Sequence, residues 1–173
     1  MRNHADLELD LATIEHLSEE REGENIDFRA YLKGQDSEKI DRIVHRLNRT
    51  VSDQVDCTKC GNCCARLSPS IESDDIIRIA ARLEMKAEEV KEKYVEKDEW
   101  DHYFKHLPCS FLKDKKCTIY EDRPDDCRSF PHLHKSGFTS RLFGVLQNYA
   151  ICPIVFNVVE RLKREVGYRY FHT

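Results

Sequence analysis

The clearest pattern along the chain lies between residues 37 and 51. There Ile40, Ile43, Val44, Leu47 and Val51 recur at helical spacing, with Ser37 placed to cap the helix they predict. Upstream, Leu7, Leu9, Leu11, Ile14 and Leu17 outline a first helix that Gly23 should break, and a short turn around residues 28–32 ends at Gly34. Downstream, Ser73 precedes Asp74 and Asp75 and then Ile76, Ile77, Ile79, Ala80 and Leu83, which reads as an N-cap, an acidic first turn and an apolar stripe. A further helix is expected over residues 86–95 and another over residues 141–149. Pro153 suits the first position of a last helix, with Ile154, Val155, Val158, Val159 and Leu162 facing inward. Residues 106–135 have no sustained period, and only a short strand pair near residues 110–112 and 117–120 is suggested. The predicted fold is mainly α: a small single-domain helical protein with an irregular, metal-organised, cysteine-rich segment. Its parts would be an acidic helical stretch at 1–55, a cysteine-cluster metal-binding domain at 56–155 and a C-terminal helix at 156–173 packing on that domain.

Composition narrows the class. The 173 residues are 40% hydrophobic and 35% charged, enough apolar material for a modest core and too much for a disordered chain. Residues 1–8 alternate polar and acidic positions where a secretory signal would need an apolar stretch. The most apolar region, 142–159, is interrupted by Gly144, Gln147, Asn148, Pro153 and Asn157 and is unsuited to a bilayer. A cytoplasmic protein without membrane contact is therefore expected. The net charge of −4 is concentrated in residues 1–56, which carry a net of about −6. The remainder is only slightly basic and shows no recognition helix of Lys and Arg, so no nucleic-acid partner is expected. The sequence identifies no protein partner.

Eight cysteines change the picture most: Cys57, Cys60, Cys63, Cys64, Cys109, Cys117, Cys127 and Cys152. In a reducing compartment they are better read as metal ligands than as disulfides. In Cys57-Thr-Lys-Cys60-Gly-Asn-Cys63-Cys64, two residues between thiols let the backbone wrap both sulfurs towards one ion, and Gly61 relieves the left-handed turn that such a wrap uses. The repeat to Cys63 matches three ligands of a bacterial [4Fe–4S] site, with Cys152-Pro153 able to supply a fourth. Adjacent Cys63 and Cys64 point apart, which suggests that they serve different centres or that only one of them is a ligand. One division is Cys57, Cys60, Cys63 and Cys152 against Cys64, Cys109, Cys117 and Cys127. Spacing fixes neither this division nor the ion. Arg123 and Arg128 flank Cys127 and are candidates to offset thiolate charge, while Pro124 can open a helical turn beside it. His106, His132 and His134 are expected at the surface or as donors around the ligands.

The run Cys57-x2-Cys60-Gly-x-Cys63-Cys64, then Cys109-x-Phe111-Leu112, then Cys117-x-Ile119-Tyr120-x2-Arg123-Pro124-x2-Cys127-Arg128-x-Phe130-Pro131, closely resembles the YkgJ-like cysteine-cluster family. The resemblance covers roughly residues 55–155, including a helix pair between the cysteine blocks. It implies a zinc- or iron-chelating protein. Bacterial flagellin lysine methylases share a cysteine block of this type, but no glycine-rich cofactor loop follows a strand here. The expected function is zinc or iron chelation by the clustered cysteines, with a [4Fe–4S] cluster as one form. The alternative is an iron–sulfur-dependent redox or methyl-transfer enzyme on the same ligands, and no catalytic residue is identified.

Overall fold

A computed structural model describes residues 7–99 and 101–171 of the chain. Residues 1–6, the start of the stretch read for a secretory signal, lie outside the described residues. The molecule is mainly α-helical, with ten α-helices and two small two-stranded sheets among the described residues. None of these helices is long and apolar enough to cross a membrane. Two compact units are formed: residues 1–55 with 131–173, and residues 56–130.

The first unit opens with α1 (Leu11–Glu20), α2 (Glu22–Lys33) and α3 (Ser37–Ser52). The break between α1 and α2 falls at Arg21, and Gly23 sits inside the first turn of α2 instead of ending a helix. Carboxylates cap α1 and α3: Asp10 accepts from the Thr13 amide at 2.8 Å and Asp36 from the Lys39 amide at 2.9 Å. Asp36 thus takes the capping role expected of Ser37, which becomes the first helical residue. Ile40, Val44, Leu47 and Val51 are buried as the spacing predicts, whereas Ile43 is only half-buried.

The second unit begins with two short helices that carry the first cysteines, α4 (Cys57–Cys60) and α5 (Asn62–Arg66). Then come α6 (Ser73–Leu83) and α7 (Ala87–Tyr94), the antiparallel pair β1 (Val95–Lys97) and β2 (His102–Phe104), and the hairpin β3 (Leu112–Lys113) and β4 (Lys116–Cys117). A 3-10 turn at Tyr120–Asp122 leads into α8 (Asp125–Ser129). The expected strand pair near residues 110–120 is thus present but shorter, because Asp114 and Lys115 both adopt positive φ and turn the chain within two residues. The pair β1–β2 was not expected; its three-residue strands are too short to display a period. The core of this unit is Ile71, Ile76, Ile79, Ala80, Val90, Val95, Phe104, Phe111 and Ile119, with Cys109 and Cys117 packed against it. Phe111 lies at its centre, 4.9 Å from the Tyr94 ring and 5.3 Å from the Phe104 ring.

The chain returns to the first unit with α9 (Phe138–Gln147) and α10 (Pro153–Glu165), which has Pro153 in its first turn as its position suggested. Asp41 on α3 accepts from the amides of Gly137 and Phe138 at 2.7 and 2.8 Å, fixing the start of α9. α10 is buried over most of its surface and packs on α3. Its buried Lys163 is compensated by Glu160 at 2.8 Å and Glu24 at 3.1 Å, and Glu160 also receives Arg21 at 2.5 Å and the Tyr149 hydroxyl at 2.7 Å. A buried charge left unpaired would be strongly destabilising, so this group is closed within itself.

Candidate metal centre

Seven of the eight cysteines belong to the second unit, and local structure brings their three sequence blocks together. Asp56 caps α4 by accepting from the Thr58 amide at 3.0 Å, which sets Cys57 and Cys60 one helical turn apart on the same side. Gly61 ends that turn at φ +64°, the left-handed conformation that its position suggested. A Cβ there would stand 2.7 Å from the Lys115 carbonyl oxygen, so α4 rests directly on the backbone of the β3–β4 turn, next to Cys117. The Cys109 amide donates to the Cys64 carbonyl at 2.8 Å, and the Leu112 amide to the Cys109 carbonyl at 2.9 Å.

The third block is held from below. Asp75, 1% exposed, accepts from the Asp125 amide at 3.1 Å and pairs with Arg78 at 2.5 Å; Arg78 also reaches Asp125 at 2.7 Å. The Ser70 amide donates to Asp126 at 3.2 Å. These contacts fix the start of α8, and with it Cys127, against the start of α6. The sequence suggests only an acidic first turn at Asp74 and Asp75. Which of the two carboxylates turns inward to hold a distant helix is decided by tertiary packing.

The thiols are electrostatic neighbours. Cys64 interacts with Cys57, Cys109, Cys117 and Cys127, and Cys60 with Cys57. Burial pushes Cys57 and Cys117 up, Cys109 up to about 11 and Cys127 up to about 12. Cys64 is the exception: a hydrogen bond with Cys63 brings it down to about 7. Most of this set is therefore protonated at neutral pH in the absence of a cation, and a divalent ion in its midst would supply the charge that turns such thiols into thiolates. The thiols are gathered but not closed: among the described residues, no group of three His, Cys, Asp or Glu side chains converges tightly enough to hold one ion.

Arg123 stands among the thiols, lowering Cys57, Cys64 and Cys117. Its guanidinium lies 3.7 Å from the Tyr120 ring centre and bonds the Tyr120 carbonyl, which fixes it in place. Arg128 is differently occupied. It donates to the carbonyls of Arg123 and Glu121 and lies 3.7 Å from Asp125, so it braces the loop. Cys152 belongs to the first unit, where it is 6% exposed and forms the N-cap of α10. His106 is exposed.

A C-x2-C-x2-C-C block joined to three later thiols, with an arginine among them, is the chemistry of a thiolate metal site. The donor set fits zinc and iron alike. Residues 56–151 match a family described as "CxxCxxCC: putative zinc- or iron-chelating domain". The chain belongs to the CxxCxxCC family. An uncharacterized protein of Methanocaldococcus jannaschii is 37% identical over 83 residues, covering 44% of this chain and 43% of the relative's own length. The chain thus spans less than half of that relative. No solved structure matches the chain. Membership of the CxxCxxCC family supports metal binding, with zinc or iron as the ion.

Proposed function

We propose that this chain is a cytoplasmic metal-binding protein in which Cys57, Cys60, Cys63, Cys64, Cys109, Cys117 and Cys127 hold zinc or iron as thiolates. Arg123 offsets part of the resulting negative charge, and Arg128 keeps the Arg123 loop in shape. The reading rests on one observation: thiols from three separated stretches share one electrostatic neighbourhood around Cys64. Cys152 has a sufficient role as a buried residue at the start of α10 and is left outside the ligand set.

An iron–sulfur centre is the second reading, favoured by the spacing of Cys57, Cys60 and Cys63. Metal and acid-labile sulfide analysis of anaerobically purified protein separates the two, since an iron–sulfur protein is brown and a zinc protein colourless. Serine at Cys60, Cys109 or Cys127 should lower metal content, and serine at Cys152 should leave it unchanged. Protein that takes up neither zinc nor iron under reducing conditions would refute metal binding. Loss of metal on replacing Cys152 would return that residue to the ligand set.

A further inference from the structure

The helices α3 and α10 share a surface that the cysteines do not explain. Arg42, His45, Arg46 and Arg49 follow one another on α3 at positions i, i+3, i+4 and i+7, and with Ile43 and Glu165 they line an open depression of about 450 Å3. A second depression of about 340 Å3 is lined by Leu47, Arg161, Arg164 and the same Glu165, so the two run together across the helix pair. Five arginines therefore surround one glutamate, on a chain whose net charge is −4. Arg46 pairs with Glu165. Arg42 lies 3.9 Å from Glu38, which is 91% exposed so that solvent screens the pair heavily, and also acts on the exposed Asp36 carboxylate. The Nε2 of His45 is buried and has no hydrogen-bond partner among the described residues. Like-charged guanidinium groups gathered this way repel one another, and burial does not offset it, because Arg42, Arg46, Arg49 and Arg164 are exposed.

We propose that this surface binds the phosphate backbone of a single-stranded nucleic acid, without reading its sequence. Guanidinium groups take phosphate oxygens in pairs, and arginines one turn apart on α3 are about 5–6 Å apart, a spacing that successive phosphates of an extended strand can follow. A small phosphate ester would use only one or two of the five. Among the described residues no aromatic ring lines either depression to stack a base, so binding would rest on the phosphates alone, which carry no sequence information. This departs from the expectation of no nucleic-acid partner. Arg42, Arg46 and Arg49 share one helix in the sequence, whereas Arg161 and Arg164 join them from more than 110 residues further on, so the sequence announces only part of the face.

The test uses the full-length, metal-loaded protein and a fluorescein-labelled single-stranded RNA of mixed sequence, followed by polarisation. Binding should weaken with salt with a log–log slope of about 3 if four phosphates are engaged at ~0.7 each. Reversing Arg42→Glu with Arg49→Glu, or Arg164→Glu with Arg49→Glu, should weaken it by about tenfold or more, while Lys33→Glu with Lys91→Glu, the same change of charge elsewhere, leaves it within about twofold. Tripolyphosphate should compete at least tenfold less well per phosphate, being too short to span both helices. The proposal falls if the wild-type protein does not bind RNA at low salt, or if the arginine and lysine variants behave alike. It falls too if tripolyphosphate competes as well per phosphate as RNA, which would make the surface a small-anion site. Equal competition by polyaspartate of matched charge would make it a dock for acidic protein segments and overturn it equally.

Discussion

Gly61 carries two demands at one residue. Its φ of +64° is one that a Cβ disfavours by about 1–2 kcal/mol, and that Cβ would meet the Lys115 carbonyl oxygen at 2.7 Å. Backbone cannot swing aside as a long side chain can. Gly61→Ala should therefore lower the thermal stability of residues 56–130 by at least that conformational cost and weaken metal uptake, with all seven thiols still present; calorimetry and metal titration on one sample check both. An unchanged variant would mean that α4 does not depend on the β3–β4 turn. Half of this was legible in the sequence, because a glycine straight after C-x2-C implies a left-handed turn. The other half, the approach of Lys115, is a contact between segments more than fifty residues apart, and no local pattern encodes it. The same divide separates Arg123, recognisable beside Cys127, from Asp75 and Arg78, which read as an ordinary helix start and yet hold α8 in place.

Among the elements, helices declared themselves by period, but their first residues did not. Ser37 and Ser73 each look like caps, and in each case the N-cap falls one position earlier: the Asp36 carboxylate takes the role before α3, and before α6 the Glu72 amide donates to Asp75 at 2.9 Å. Serine and aspartate both cap well, so at α3 the choice falls to whichever geometry the preceding loop allows. It has a consequence in acid. The Lys39 amide holds the Asp36 carboxyl below its ordinary value of 3.8, and the Thr13 amide does the same for Asp10. Because the folded value is the lower one, the stability these carboxylates contribute is fully present above the ordinary value and is lost as pH falls through the folded one. Asp36→Asn keeps a good cap without the ionisation. Its melting temperature should consequently fall less steeply than that of the wild type below about pH 4. Parallel curves for the two proteins would show that Asp36 contributes no acid sensitivity. The small strands illustrate the opposite limit of legibility: β3 and β4, two residues each, are fixed by the turn at Asp114 and Lys115 and not by any alternation of their own.

For the molecule as a whole, the two units draw their order from different sources. The first buries long apolar faces, with Val44, Leu47 and Val51 on α3 and Val155, Val158, Val159 and Leu162 on α10. In the second, the nine-residue core rests mainly on α6 and α7 with β1 and β2, while residues 105–130 hold only two-residue strands, a 3-10 turn and the five-residue α8. The sequence foretold that residues 106–135 lack a period of their own. It could not foretell that α9 and α10 return to the helices of residues 1–55, since an apolar face reveals that it is buried and not against what. If thiolate–metal bonds organise residues 105–130, exhaustive chelation under reducing conditions should raise amide hydrogen exchange there by about 100-fold or more, with α3 and α10 changing by no more than about threefold. Far-ultraviolet circular dichroism should fall only slightly, because most of the helix lies elsewhere. Exchange that rises equally in both units would show that metal and the helical unit fold as one. Exchange that rises in neither would show that residues 105–130 are held by Phe111, Ile119 and the Asp75–Arg78 contacts alone, with the metal binding to a fold already complete.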